Sequence, residues 1–537
     1  MGTNAEQAAD PADLVRFSPA TRQWVAGAFS APTPAQAGAW TAISHGAHAL
    51  VVAPTGSGKT LAAFLWALDG FIQAAGDAPE LPVEDLPARK KPAPRGTRVL
   101  YISPLKALGV DVERNLRAPL IGITQTARRL GLPAPPGTVG VRSGDTPPAE
   151  RRQLLTRPPD ILITTPESLF LMLTSKARET LAQVDTVIVD EVHAVAGTKR
   201  GAHLAVTLVR LDALLSRPAQ RIALSATVEP LETVARFLGG SSPVEIVAPP
   251  AAKSWDLTVA VPVEDMTALV PPPADELDPN PQPATIWPHV EERIVGLVAA
   301  NRSTIVFANS RRVAERLTAR LNEIWSERQN APASRAGEPD EGGGTGGGAP
   351  ARLPAQIMAQ AGAAAGAEAV LARAHHGSVS KDQRALIEDD LKTGRLRCVV
   401  ATSSLELGID MGAVDLVVQV ESPQSVASGL QRVGRAGHQV GEVSRGVLFP
   451  KHRQDLVNTA VTVERMLAGR IEPLYIPANP LDILAQQTVA AAALGTLDVE
   501  EWFDVVRRSA PFATLPRSAF EATLDLLAGR YPSDEFA

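Results

Sequence analysis

The sequence predicts an α/β protein: two tandem domains built on parallel sheets, followed by the start of a mostly helical domain. Two series of strands and the break between them carry this reading. Short Val- and Ile-rich runs, ALVVA, RVLYIS, DILITT, TVIVDE and RIALSA, recur between Ala49 and Ala226 with longer helix-like stretches between them. Strands covered on both faces and joined by helical crossovers need that composition, because neither face meets water. A second series opens with STIVFA at Ser303 and continues through CVVATS, LVVQVE and GVLFP. From about Glu264 to Pro288 the chain carries PPPADELDPNPQP. Proline lacks an N–H and is fixed in φ, so this stretch opposes helix and strand alike.

At 537 residues the chain exceeds one core and divides into roughly three or four domains of about 150 residues. The expected order is an N-terminal extension over 1–30, a first α/β domain over 31–248 and a crossing segment over 249–288. A second α/β domain follows over 289–470, and a partial helical accessory domain over 471–537. The Pro-dense stretch Asp77–Gly96, with its basic ARKK, reads as a surface insertion. Residues 329–367, with DEGGGTGGGAP, read as a disordered insertion between the helix RRVAERLTARLNEIW and the strand before HHGS. Helical periodicity dominates from Leu456 onward, and the chain stops at RYPSDEFA with no visible domain ending, as a fragment would.

Hydrophobic residues at 45% and charged residues at 20% are an ordinary globular balance. No apolar run of about 18 residues suggests a membrane span, and MGTNAEQAADPADLVRF lacks the basic start and apolar stretch of a secretory signal. These features predict a soluble cytoplasmic protein. The single cysteine, Cys398, excludes an internal disulfide and a thiolate zinc site, and within LRCVVATSS it reads as a buried strand residue rather than a nucleophile. A net charge of −6 argues against coating nucleic acid by bulk electrostatics and leaves room only for a local basic groove.

APTGSGKT, Ala53–Thr60, follows the strand ALVV and opens the helix LAAFLWALDGF. Its end fits a phosphate-binding loop, with Ala53 where the leading glycine usually stands. Pro54, Gly56 and Gly58 shape a turn whose N–H groups surround the β-phosphate at a helix N-terminus, with Gly56, Ser57 and Gly58 expected to bind the nucleotide. Lys59 reaches the β- and γ-phosphates, and the Thr60 hydroxyl ligates Mg²⁺. TVIVDEVH supplies the acids such a loop requires: Asp190 holds Mg²⁺ directly or through water, and Glu191 positions or deprotonates the water that attacks the γ-phosphate.

With these residues the order of motifs from Thr33 to His438 resembles the superfamily 2 helicases of DExH type. The resemblance implies two RecA-like domains, ATP and Mg²⁺ as cofactors, and nucleic acid as partner. TPAQ, with Gln36, looks like the motif whose glutamine reads the adenine edge; Phe17 or Phe29 either stacks on the base or belongs to the core. SPLKAL with Lys106 and TTPESL with Thr165 match segments that family members lay against a strand's sugar-phosphate backbone. SGDTP at Ser143 is either a further strand contact or an ordinary turn, and SAT, Ser225–Thr227, resembles the motif linking nucleotide state to strand grip. In VFANSRR, Arg311 and Arg312 either clamp phosphates or decorate a solvated helix. HHGS at His375, with His376, resembles a loop that touches the strand.

ATSSLELGIDMG resembles motif V, which implies that Thr402 and Ser403 face the strand and that Gly408, Ile409 and Asp410 face the nucleotide ribose. QRVGRAGH resembles motif VI, with Arg435 as the arginine finger. His438 stands where an arginine is usual and cannot fully replace that charge, which leaves Arg432 as a substitute. The combination of FSPATRQWVAGAF, PTPAQAGAW, DEVH and QRVGRAGHQ is similar to the bacterial large helicase-related family. That resemblance implies a 3′-to-5′ translocase on single-stranded DNA that unwinds DNA or RNA:DNA duplexes carrying a single-stranded tail, a role in DNA repair, and a winged-helix domain from about Pro477. Trp502 is there either a stacking platform or a core residue. The rivals are a DEAD-box-like RNA helicase, against which DEVH and QRVGR count, and an ATP-gated clamp that binds nucleic acid without unwinding it.

Overall fold

The computed structural model describes residues 11–54, 56–76, 96–133, 137–250, 253–269, 285–330, 370–408, 411–437 and 442–530. Of the insertions expected over Asp77–Gly96 and 329–367, residues 77–95 and 331–367 lie outside the described residues, as do Ile409, Asp410 and His438, while Gln329 and Asn330 end the helix Arg311–Asn330. The chain forms two compact units: residues up to 251 together with those from 473 onward, and residues 252–472.

The first unit holds seven strands, β1 His48–Val52, β2 Val99–Ile102, β3 Val139–Arg142, β4 Ile161–Thr164, β5 Thr186–Val189, β6 Gln220–Ser225 and β7 Val244–Val247. They pair in the order β3-β4-β2-β5-β6-β1-β7, every pair parallel. Successive strand residues point to opposite faces, and both faces are covered. Val51, Tyr101 and Ile163 enter one apolar cluster, while Leu50, Leu100 and Leu162 enter the other. The N-terminal segment expected as an extension is built into the first cluster. Phe17 packs edge-on against Trp40 and Trp66 at 5.1 and 5.7 Å, and the Ser18 N–H donates to the buried Asp69 carboxylate at 3.0 Å.

The second unit holds β8 Ser254–Val259, β9 Thr304–Phe307, β10 Ala372–His375, β11 Cys398–Ala401, β12 Leu416–Val420 and β13 Val443–Phe449. These are ordered β10-β11-β9-β12-β13-β8 and again wholly parallel. β8 corrects the expectation of a plain crossing over 249–288. SWDLTV alternates half-buried and exposed residues at the sheet edge, so it lacks the apolar run that marks a central strand. Cys398 is fully buried in β11 and burial raises its thiol pKa, which leaves it inert.

From Pro473 the chain rejoins the first unit. Helices Leu481–Ala492, Val499–Arg507 and Arg517–Leu527 bury Leu484, Trp502, Val506, Phe512 and Phe520 together with Val206 of the helix Lys199–Leu214. Arg210 Nη1 donates to Gln487 Oε1 at 2.8 Å, and Gln487 Nε2 donates to Thr207 Oγ1 at 3.0 Å. Burial lowers Arg210 to a pKa of about 10, so it stays a cation at neutral pH. Trp502 is a core residue, its Nε1 donating to Thr488 Oγ1 at 2.9 Å. Among the described residues no helix is long and apolar enough to cross a membrane.

Gly240 ends the helix Leu231–Gly239 at φ +62, and a Cβ there would overlap the Arg508 carbonyl oxygen. Gly240→Ala is therefore expected to cost roughly 2 kcal/mol from the backbone conformation alone. It should also loosen the C-terminal helices, read as a lower melting temperature and earlier proteolytic release of the segment after Pro473.

Candidate functional site

The loop after β1 runs from Ala53 into the helix Lys59–Gly76. Gly56 and Gly58 sit at φ +81 and +76, a region that side chains resist. At Gly58 a Cβ would also stand 2.5 Å from Gln36 Nε2, so this turn closes only around glycine. Gln36 belongs to a capping box on the helix Pro34–Ser44: its Oε1 accepts from the Thr33 N–H at 2.9 Å, and Thr33 Oγ1 accepts from the Gln36 N–H at 3.3 Å. Gln36 Nε2 donates to Gly58 O at 3.4 Å and Thr33 Oγ1 to Ser57 O at 3.0 Å. These bonds join the glutamine to the phosphate loop and use one donor and one acceptor of its amide. One N–H and one lone pair remain, the pair that complements an adenine edge.

Lys59 is 9% exposed, and its Nζ donates to the carbonyls of Ala53 and, at 2.9 Å, Pro54. Ser57 Oγ donates to Pro54 O at 2.7 Å. Of the two aromatic candidates, Phe17 is core, whereas Phe29 is 43% exposed and edge-on to Trp24 at 5.7 Å.

Asp190 and Glu191 follow β5 and are both buried. Glu191 has φ +44, an uncommon conformation for a residue with a Cβ and one that stores strain. Asp190 Oδ1 accepts from the Glu191 N–H at 2.8 Å and Oδ2 from the Tyr101 hydroxyl. Burial first, then the Glu191 charge, raises the Asp190 pKa to about 6, against the pull of the Tyr101 hydrogen bond and Lys59. Two buried carboxylates against one ammonium leave a net negative charge that a cation would offset. The Thr60 hydroxyl and the Asp190 carboxylate are hard oxygen donors of the kind Mg²⁺ takes when phosphates and water supply its other ligands, so the residues present fit the ion.

His193, the last residue of DEVH, has no role assigned from the sequence, and the structure gives it partners at the ends of two strands. Its Nε2 lies 3.5 Å from Glu191 Oε2, and its Nδ1 lies 3.1 Å from Ser225 Oγ and accepts from the Ala226 N–H at 3.3 Å. With Nδ1 accepting, the neutral ring carries its proton on Nε2, toward the glutamate. One imidazole thus joins the acid after β5 to the SAT segment after β6.

The expected strand contacts are more varied. Lys106 pairs with Asp145 Oδ1 at 2.6 Å, with both side chains more than half exposed. Such a pair is worth little in water, and a phosphate can replace the carboxylate. Asp145 lies in the SGDTP loop, which Arg151 braces by donating to the carbonyls of Thr146, Ser143 and Gly144. Thr165 is a correction to the expected hydroxyl contact. It caps the helix Pro166–Leu173 and is buried, with Oγ1 accepting from the Ser168 N–H at 3.4 Å and donating to Ser168 Oγ at 3.2 Å.

In the second unit Arg311 is exposed and donates to Ser378 Oγ at 2.8 Å, and Arg312 is exposed beside it. His376 is buried, its Nε2 2.5 Å from Glu315 Oε1 and its Nδ1 accepting from the Ser378 N–H at 3.2 Å. Both ring nitrogens are thereby engaged within the protein. His375 Nδ1 lies 2.9 Å from Ser404 Oγ and its Nε2 3.0 Å from Glu388 Oε1, which fixes the turn after β11. Thr402 is half-buried and Ser403 exposed at that turn, and Gly408 has φ +37.

Arg432, expected as a nucleotide ligand, is instead committed to the fold. It is 2% exposed, pairs with Glu406 Oε2 at 2.9 Å, donates to Asn309 Oδ1 and Gln419 Oε1 at 3.0 Å each, and lies over the Phe307 ring at 5.4 Å. Arg435 Nη2 donates to the Glu406 carbonyl at 3.0 Å. Glu406, within LELGID, therefore holds both arginines. Both arginines are enclosed, each 2% exposed, and they differ in their partners: Arg432 meets three side chains, whereas Arg435 Nη2 donates to a backbone carbonyl.

Arg432→Met is expected to lower the stability of the second unit by about 3 kcal/mol, because it leaves the half-buried Glu406 carboxylate and the amide oxygens of Asn309 and Gln419 without their donor; urea denaturation would measure it. Gly58→Ala should weaken binding of a fluorescent ATP analogue by about tenfold or more, the equivalent of some 1.4 kcal/mol, and lower the melting temperature as well, since φ +76 is strained for alanine.

Residues 33–236 match the family described as DEAD/DEAH box helicase, residues 357–439 the Helicase conserved C-terminal domain, and residues 464–537 the Large helicase-related protein, winged helix domain. The chain is 67% identical over 537 residues to the Lhr helicase/probable uracil glycosylase of Mycolicibacterium smegmatis, covering 100% of this chain and 33% of that protein. It is 54% identical over 532 residues to the Lhr helicase/uracil glycosylase of Escherichia coli, covering 98% of this chain and 33% of that protein. A structure of Mycobacterium smegmatis helicase Lhr bound to ssDNA and AMP-PNP superposes with a TM-score of 0.79 at 64% identity, covering 96% of this chain and 58% of that one. The chain thus spans a third of the length of these two curated relatives. Its two parallel-sheet units are tandem RecA-like domains with a winged-helix segment after them, and the chain belongs to the large helicase-related (Lhr) family.

Proposed function

We propose that this chain is an ATP-hydrolysing motor that moves 3′-to-5′ along single-stranded DNA. It unwinds DNA or RNA:DNA duplexes that carry a single-stranded tail, and it serves DNA repair in the cytoplasm. The observation that carries this reading is the continuous set Gln36–Gly58, Lys59, Asp190–Glu191 and His193–Ser225, which joins a base-reading amide, a phosphate loop and a buried acid to the end of the neighbouring strand β6. The relative solved with ssDNA and AMP-PNP supports the same partners here.

In this mechanism the N–H groups of the loop and Lys59 receive the β- and γ-phosphates at the start of the helix. Thr60 and Asp190 would hold Mg²⁺, which would neutralise phosphate charge when bound. Glu191 takes the proton of the attacking water as the bond from the γ-phosphorus to the β,γ-bridging oxygen breaks, releasing ADP and inorganic phosphate. Arg435 offsets the charge that grows on the transferring group. Lys106, Arg311, Arg312, the Thr165 backbone, and the turn of Thr402 and Ser403 contact phosphates rather than base edges. Affinity should accordingly depend on salt and little on sequence.

ATPase assays with and without single-stranded DNA or RNA, paired with displacement on substrates tailed at either end, test the reading. DNA-stimulated turnover with displacement of only the 3′-tailed substrate is expected. Stimulation by RNA alone would favour a DEAD-box-like enzyme, stimulation without displacement a clamp, and no stimulation would remove the motor. Glu191→Gln should keep ATP binding and lose about 100-fold or more in kcat, and Arg435→Ala about 1,000-fold; unchanged hydrolysis in either variant would overturn that assignment.

A further inference from the structure

Tyr101 stands in β2 with no exposed surface. Its ring stacks on Phe64 of the phosphate-loop helix, centroids 5.1 Å apart and planes 26° apart. Its hydroxyl donates to Asp190 Oδ2, while the Glu191 N–H donates to Oδ1 at 2.8 Å. Each oxygen of the Asp190 carboxylate therefore has one fixed donor, and the carboxylate plane cannot turn without breaking one of the two bonds. A phenylalanine would fill the same space between the helix and the strand without placing a hydroxyl in an apolar cluster. A buried hydroxyl is tolerated only where it finds a partner, and the partner here is the acid after β5.

We propose that Tyr101 is a positioning residue for Mg²⁺-nucleotide binding. It acts through Asp190, touching neither nucleotide nor ion. The hydroxyl sets the orientation in which Asp190 offers its remaining lone pairs, and the stack on Phe64 ties that orientation to the helix that begins with Lys59 and Thr60. This rests on the proposed role of Asp190, and the test separates the two.

The experiment is a Mg²⁺ titration of fluorescent ATP-analogue binding to the wild-type chain, Tyr101→Phe and Asp190→Asn, repeated with ATP turnover as readout. Partners that orient a metal's ligand typically matter about tenfold or more for metal affinity. Tyr101→Phe is therefore expected to raise the Mg²⁺ concentration at half-saturation about tenfold. Its binding of the analogue in EDTA and its melting temperature should stay near the wild-type values, and its lost turnover should return at high Mg²⁺. A purely structural loss would not be rescued by metal. Phe64→Leu, which removes the stack and keeps the hydroxyl, should move the Mg²⁺ midpoint in the same direction by less, and it serves if Tyr101→Phe fails to fold. A wild-type Mg²⁺ midpoint in Tyr101→Phe beside a shifted one in Asp190→Asn overturns the inference and leaves the reading of Asp190 intact. Wild-type midpoints in both overturn the reading, and the inference with it.

Discussion

In a sheet whose strands all run the same way, every strand ends on the same edge, and both sheets of this chain are wholly parallel. The loops after the strands are therefore neighbours however far apart they lie in sequence. In the first unit Ala53–Gly58 follow β1, Lys106 follows β2, Thr165 follows β4, Asp190 and Glu191 follow β5, and Ala226 follows β6. In the second, Arg311 follows β9, His376 follows β10 and Ser403 follows β11. No single loop is a site. The sheet edge makes one, and the short side-chain bonds from Tyr101 to Asp190 and His193 to Ser225 are possible only because parallel pairing has already brought their strands into register.

The two units treat buried charge differently. Around Asp190 the first unit encloses two carboxylates and one ammonium, and burial first, then the Glu191 charge, raises the Asp190 pKa to about 6. Around Arg432 the second unit encloses a guanidinium whose donors meet one carboxylate and two amide oxygens. Enclosing charge is costly unless it is paired and hydrogen-bonded. The Arg432 guanidinium meets that condition within the fold and joins β9, β12 and the segment after β11. The acids after β5 keep an excess of negative charge that a cation would offset.

The apolar runs made the central strands legible, because a strand buried on both faces has no other composition open to it. β8 was not legible: at the sheet edge its side chains alternate, and its proline-rich surroundings suggest a crossing. The phosphate loop, Asp190 and Glu191 were readable because their chemistry is local, carried within a few residues by glycine, lysine and paired acids. Tyr101, His193 and Glu406 act through partners 89, 32 and 26 residues away, and no spacing rule announces such a pairing. Arg432 and Arg435 differ by less than one helical turn, so only packing decides that the first is held by three side chains. The attachment of the C-terminal helices to the first unit rather than to the second was equally hidden, since Val206, Arg210 and Gln487 meet across some 280 positions.

The path of the chain constrains the second unit further. It is entered after 251 and left after 472, and residues beside both crossings grip the ends of one helix, Val426–Val433. Glu472 accepts from the Val426 N–H at 2.7 Å and the Ala427 N–H at 3.3 Å, at the helix start, and Lys253 Nζ donates to the Gly434 carbonyl at 3.1 Å, at its end. A carboxylate at the first turn and an ammonium at the last both oppose the helix dipole, so the two contacts reinforce each other. They also satisfy backbone groups that a helix leaves unpaired at its termini. The helix carries Arg432 and leads directly to Arg435. It is therefore fixed at its ends by the first and last residues of its own unit, and along its length by the Glu406 cluster. A substitution at either crossing would reach the arginine loop through one hydrogen-bonded contact, without passing through the sheet.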